Sequence, residues 1–263
     1  DNFRKLAAYS EKRGLVFLST PFDLESARFL NEIVPAFKIS SGDNTFFPLL
    51  EFVCSTGKPI LLSTGLSGIE EIRNTVNFIE KTWKNYKVRG DLSIMHCVTS
   101  YPVQPDEANF NAIAHLKSQF SYSVGYSDHT LGIDACLLAV ALGARVIEKH
   151  FTLNKHFSSF RDHQISSEPE EMKILAEKII NAKKLLGKGI KELQKRELEI
   201  LPHIRRSIVA KADILKGKII GLNDITWTRP SGGLKPGQES LVLNKRAIRL
   251  INAGETISLE MIQ

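Results

Sequence analysis

The 263-residue sequence contains no run of about 18 apolar residues, so no membrane-spanning helix is expected. Cysteine is scarce: Cys54, Cys97 and Cys136 stand in apolar surroundings without a Cys-x-x-Cys pair. A paired-cysteine zinc site is thereby excluded, and buried free thiols in a reducing cytoplasm are expected. No Gly-x-Gly-x-x-Gly follows an apolar run, which argues against a dinucleotide site. Asp1-Asn2-Phe3-Arg4-Lys5 is neither a secretion signal nor an initiator context. The chain opens in what reads as the middle of a helix, and units upstream are expected to be missing.

What is present is ordinary for a soluble globular protein: 43% hydrophobic and 24% charged residues, enough for one large domain and a small one. The charge is uneven. Residues 1–187 hold 21 basic and 21 acidic side chains, whereas 188–263 hold 14 and 8, so the net +6 lies wholly in the C-terminal part. That part has few aromatics and no nucleic-acid motif. A basic cap beside an anionic small-molecule site fits it at least as well, and no nucleic-acid partner is expected.

Six apolar, β-branched runs recur: Leu15–Thr20, Ala36–Ser41, Pro59–Thr64, Leu92–Cys97, Tyr122–Ser127 and Arg145–His150. Helical patterns follow most of them, among them Leu24–Ile33, Ile69–Thr82 and Ile133–Leu142, as in parallel βαβ units. The runs are nearly continuous apolar stretches, as strands buried on both faces are. An open doubly wound sheet and a (β/α)8 barrel both fit the alternation. The polar residues favour the barrel: Thr20, Ser41, Ser63, His96, Thr99, Ser127 and His150 all fall at or just past strand C-termini, where barrel active sites are built. Six units are two short of eight, so the first two βα units are expected to be absent and Phe3–Arg13 to be the remnant of a preceding helix. Glu168–Leu186 would be the final barrel helix, ended at Gly187.

This predicts a barrel domain over 1–187, a charged linker over 188–204 and a β-rich domain over 205–263. Within the last, Asp213–Ile225 resembles Leu250–Ile262, with turn glycines Gly217 and Gly254 at matching places. A repeat this short predicts a compact β module with pseudo-symmetric halves.

His129 follows one predicted strand and His150 ends the next, so the two imidazoles should meet at the mouth, where they suit a divalent transition metal with open positions. Hydrogen-bonded structural histidines are the alternative. Lys38, Ser41, Thr20, Ser63, Thr99 and Ser127 come from successive strand ends. Each hydroxyl alone fits turn and capping chemistry. Their recurrence with a lysine suits a shared cavity for a phosphate and a carboxylate. Tyr101-Pro102 reads as a turn, Asp162 as a loop acid, and Arg229 as a surface arginine.

Together the motifs resemble the N-acetylneuraminate (sialic acid) synthase family, which includes legionaminic and pseudaminic acid synthases. They are Phe17-Leu-Ser-Thr-Pro-Phe22, Phe37-Lys-Ile-Ser-Ser-Gly-Asp43, Gly57-Lys-Pro-Ile-Leu-Leu-Ser-Thr-Gly65, His96-Cys-Val-Thr-Ser-Tyr-Pro102, Gly125-Tyr-Ser-Asp-His-Thr130 and Glu148-Lys-His-Phe-Thr152. Arg205-Arg-Ser-Ile-Val-Ala210 and Thr226-Trp-Thr-Arg-Pro230 resemble its antifreeze-like (SAF) domain. The resemblance covers essentially the whole chain. It implies a (β/α)8 barrel with a small β-clip SAF domain, working as a domain-swapped cytoplasmic homodimer. The implied reaction joins phosphoenolpyruvate to an N-acetylated amino sugar such as N-acetylmannosamine and releases phosphate. His129 and His150 match the ligands of Mn2+, with Mg2+ as the other candidate. Thr20, Lys38, Ser41, Ser63, Thr99 and Ser127 match phosphoenolpyruvate contacts, Tyr101 and Asp162 sugar contacts, and Arg229 the arginine toward the sugar N-acyl group. Asp43, where the family commonly has Glu, is the implied catalytic carboxylate beside C2 of the enol.

One departure is that the family's Glu and Lys from its first two strands have no counterpart here. Another metal-dependent barrel aldolase, or a catalytically dead carbohydrate-binding homologue, is the other reading of the same residues.

Overall fold

The computed structural model describes residues 2–263 and divides into two compact units, one reaching to Lys188 and one spanning Gly189–Gln263. The first unit runs α1 (Asn2–Lys12), α2 (Leu24–Asn31), β1 (Phe37–Ile39), α3 (Phe47–Ser55), β2 (Ile60–Ser63), α4 (Ile69–Tyr86), β3 (Leu92–Cys97), α5 (Asn111–Gln119), β4 (Ser123–Asp128), α6 (Asp134–Ala141), β5 (Val146–Lys149), α7 (Arg161–Ile165) and α8 (Pro169–Leu186). Its five strands form one parallel sheet in the order β1-β2-β3-β4-β5.

Local chemistry explains the main elements. α4 sets Ile72, Val76, Ile79 and Trp83 on one buried face at helical spacing. Asp23 caps α2 by accepting from Ser26 N–H at 2.7 Å. α8 opens with a Glu168/Glu171 capping box and a proline in its first turn, and ends at Gly187 with φ +59°. All six residues of β3 are buried, because helices cover one face and the sheet's own concavity the other.

The sheet is strongly curved, and one contact shows it. Lys38 on β1 and Glu148 on β5 belong to opposite edges, about 19 Å apart in a flat sheet at ~4.8 Å per strand. Yet Lys38 Nζ lies 3.4 Å from Glu148 Oε2.

Five of the six predicted strands form. Leu15–Thr20 does not, which corrects the sequence expectation. The segment makes no ladder with β1; Leu15 and Val16 are exposed, while Phe17 packs against the core. β-branched composition favours extended backbone, but a strand also needs a neighbour in register.

The second unit holds α9 (Lys195–Ile204), β6 (Ser207–Ala210) and β7 (Ile225–Thr228), with β6 and β7 antiparallel. α9 lies inside the stretch read as a linker. A Gln194/Glu197 capping box starts it, and Pro202, which lacks an N–H for the Leu198 carbonyl, falls two residues before its end.

The internal repeat is structural. Ile214 and Ile251 exchange both backbone hydrogen bonds, at 2.8 and 3.0 Å. Gly217 N–H donates to Ala247 O at 2.7 Å, and Gly254 N–H to Ala210 O at 2.8 Å. Matching 3-10 turns follow at Leu222–Asp224 and Leu259–Met261. Ile220 and Ile257 fill equivalent places in a separate core with Ile208, Ile225 and Val242. Among the described residues no helix is long and apolar enough to cross a membrane.

Candidate active site

A cavity of about 430 Å³ opens at the C-terminal ends of the sheet strands. Thr20, Lys38, Ser41, Ser63, Thr99, Tyr101, Ser127, His129 and His150 all line it, so nine residues singled out from the sequence converge on one place.

The hydroxyl side is tightly built. Ser41 Oγ accepts from Gly65 N–H at 3.1 Å. A Cβ on Gly65 would stand 2.3 Å from Thr99 Oγ1 and 2.7 Å from Ser41 Oγ, so only glycine leaves both hydroxyls in place. Asn44, itself buried, donates to the carbonyls of Ser63 and Gly65 at 3.3 and 3.4 Å and thereby ties the β1 and β2 rims together. Ser63 Oγ is buried and has no hydrogen-bond partner. A sealed hydroxyl facing a cavity without a partner is a place where a ligand acceptor fits.

On the other side the rings of His129 and His150 lie 5.3 Å apart. His129 Nδ1 is 2.8 Å from the Val98 carbonyl, which can only accept, so Nδ1 carries a proton. Tyr101 stacks on His129 at 4.1 Å and meets His150 edge-on at 5.8 Å. Burial and the neighbouring His129 hold His150 below the usual histidine range. For His129, burial acts downward, but its contacts with Cys97 and the Val98 carbonyl outweigh it and leave the ring raised. Among the described residues no three His, Cys, Asp or Glu side chains cluster as a self-sufficient metal cage. The residues present fit a cation that takes two imidazoles and fills its other positions with water or substrate.

Four sequence-predicted residues fall outside the cavity lining. His96, read among the strand ends that meet at the mouth, lines a separate pocket instead, its Nε2 2.9 Å from the Ala108 carbonyl. Asp43 sits just past β1, and its carboxylate accepts from the hydroxyl of Ser40, a lining residue. Asp162 lies at the margin, its Oδ2 3.9 Å from His150 Nδ1. Arg229 follows β7 in the second unit, exposed and before a cis proline.

Sequence reasoning missed Glu148, which lines the cavity, as Asp128 also does. Alternation along β5 was the available signal: if His150 faces the mouth, so does Glu148 two residues earlier. The strand register agrees, with Ser127 opposite Glu148.

The fold is thus a curved parallel half-barrel of five strands, with hydroxyls, a lysine and two histidines gathered at its strand ends. The comparisons give the family. The NeuB family model matches residues 1–191 and the SAF domain model residues 205–263. The chain belongs to the NeuB family and carries a SAF domain at its C-terminus. N,N'-diacetyllegionaminic acid synthase of Campylobacter jejuni is 42% identical over 97% of this chain and 75% of its own length. An uncharacterized protein of Methanocaldococcus jannaschii is 47% identical over 94% of this chain and 72% of its own. The crystal structure of N-acetylneuraminic acid (sialic acid) synthetase from Leptospira borgpetersenii in complex with citrate superposes with a TM-score of 0.70 at 38% identity, covering 75% of this chain and 67% of that one.

Proposed function

We propose that this protein is a nonulosonic acid synthase: it condenses phosphoenolpyruvate with an N-acetylated amino sugar and releases phosphate. The observation that carries this reading is the two-sided cavity, with a lysine and unpartnered or lightly held hydroxyls on one side and two adjacent imidazoles on the other. The five strands then serve as consecutive staves of a (β/α)8 barrel; their curvature supports this.

Lys38 supplies a fixed positive charge, and Ser41, Ser63, Thr99, Thr20 and Ser127 supply donors, for the phosphate and carboxylate of the enol. His129 and His150 would hold a divalent cation, Mn2+ by preference, between their adjacent rings. When bound, that ion supplies Lewis acidity at the aldehyde of the open-chain sugar. C3 of the enol forms the new bond to the aldehyde carbon while the carbonyl π pair moves to its oxygen, which takes a proton, and C2 is left cationic. Water adds at C2 with loss of a proton. The C2–O bond to phosphate then breaks as the remaining hydroxyl loses its proton and becomes the C2 ketone, releasing inorganic phosphate. Glu148 is the carboxylate placed to stabilise the cation or orient that water, while Asp43 acts on the rim through Ser40. Tyr101 and Asp162 border the sugar side. The partner subunit in a homodimer would supply an arginine corresponding to Arg229. Three buried, unpaired thiols suit a cytoplasmic enzyme.

The test is phosphate release from phosphoenolpyruvate with N-acetylmannosamine, its 6-phosphate, or a 2,4-diacetamido sugar, with and without manganese. Release with one sugar, dependent on manganese and lost in His150→Ala, is expected. No release with any of them would refute the reading.

A further inference from the structure

A buried charged cluster stands beside the two histidines, and the proposed chemistry does not use it. In the β4–β5 ladder Asp128 is the register partner of Lys149, and His129 and His150 are the next residue along each chain. Lys149 Nζ donates to Asp128 Oδ2 at 2.8 Å and to the Thr130 carbonyl at 2.6 Å. The ammonium thus grips the residues on both sides of His129, while its own backbone leads directly into His150. The two side chains are only 2% and 0% exposed.

Asp128 is fully engaged. Its Oδ1 accepts from the Tyr126 hydroxyl at 3.0 Å and from the Thr130 N–H and hydroxyl, each at 2.8 Å. Its Oδ2 also takes the Cys136 thiol of α6 at 3.2 Å. Sealing two charges from water costs much of what their attraction returns, so such a pair adds little net stability. In some proteins a buried pair of this kind instead fixes the register between the elements it joins.

We propose that Asp128 and Lys149 are positioning residues that set the spacing and orientation of the His129 and His150 imidazoles for a single divalent cation. The proposal rests on reading those imidazoles as metal ligands. Neither residue touches the cation; both act through the backbone that carries the ligands. Groups that hydrogen-bond metal ligands directly typically govern metal affinity by about 10- to 100-fold, and the same range sets the scale for a pair acting one step further out through the backbone.

The experiment is manganese binding to the full chain, read from the electron paramagnetic resonance signal of free Mn2+, with the melting temperature of the metal-free protein measured alongside. Asp128→Asn and Lys149→Met should each weaken manganese binding by about 10- to 100-fold. The double variant Asp128→Leu/Lys149→Met, with no unpaired charge, should regain melting temperature but not manganese affinity. Tyr126→Phe removes one donor to Asp128 and keeps the ring, so it should fold normally and bind severalfold more weakly. Wild-type affinity in whichever of these variants fold, with only the melting temperature lowered, overturns the proposal, since the pair would then hold the fold alone. A wild-type protein that binds manganese no better than His129→Ala removes the metal-site reading itself, and this proposal with it.

Discussion

At the scale of single residues, the site is a set of groups whose needs are met or left open. Ser63 is the clearest open case: a buried hydroxyl at the cavity without a partner. Ser63→Ala therefore removes no internal hydrogen bond. It should leave the melting temperature unchanged while lowering kcat/KM for phosphoenolpyruvate by roughly 10- to 100-fold, the value of one hydrogen bond to a charged ligand. Steady-state kinetics beside thermal melts check both halves. Cys54 is the opposite case, a group with no part in the chemistry. Burial pushes its thiol up to about 12, so iodoacetamide at pH 8 should leave it unmodified until denaturant is added, as peptide mass mapping would show. Most of the cavity was legible in the sequence, because hydroxyls and histidines recur at strand ends; His96 marks the limit of that rule, since it faces the other side of its strand from the mouth. Glu148 was not, because attention fell on the histidine after it rather than on the face the two share. Asp43 had the right charge and segment, but its carboxylate bonds Ser40 instead of lining the cavity.

At the scale of elements, periodicity located five strands and the long helices α4 and α8; α4 displays a full buried face, whereas α8 buries only Leu175 and is marked by its amphipathic spacing and its caps. It misread Leu15–Thr20, where composition suits a strand but no ladder forms. It passed over α9, where Pro202 and a fully charged beginning mask a helix that buries none of its residues. α8 yields a pH prediction. The Glu171 carboxyl is held below its ordinary value of 4.5, first by the Lys155 ammonium and also by the Glu168 N–H it caps. A carboxylate with a depressed folded value stabilises the fold above its unfolded value and loses that contribution as pH falls through the folded one. Melting temperature should therefore decline as pH drops below about 4.5, and Glu171→Gln should decline less steeply. Equal slopes for the two proteins would show that the pair with Lys155 contributes nothing measurable.

At the scale of the whole molecule, each unit has its own apolar core, and each holds one of the two tryptophans, Trp83 in the first and Trp227 in the second. The basic excess read from the sequence belongs almost wholly to the second unit, whereas the cavity belongs to the first. In a Trp227→Phe protein, Trp83 fluorescence reports the first unit. Manganese at 100 times its Kd should stabilise that unit by about 2.7 kcal/mol and raise its transition by roughly 5–10 °C. His129→Ala should abolish the shift, and a shift that survives this substitution would place the ion elsewhere.

All of this depends on one cation shared between two rings at the rim of an enol-phosphate cavity. A crystal of the protein grown with manganese and phosphoenolpyruvate, measured at an energy where manganese scatters anomalously, examines that directly. The account predicts one strong anomalous peak bonded to both His129 and His150, with the phosphate of the enol held on the side of Lys38 and Ser63. A peak bound elsewhere, or imidazoles left bare beside a bound enol, would contradict it.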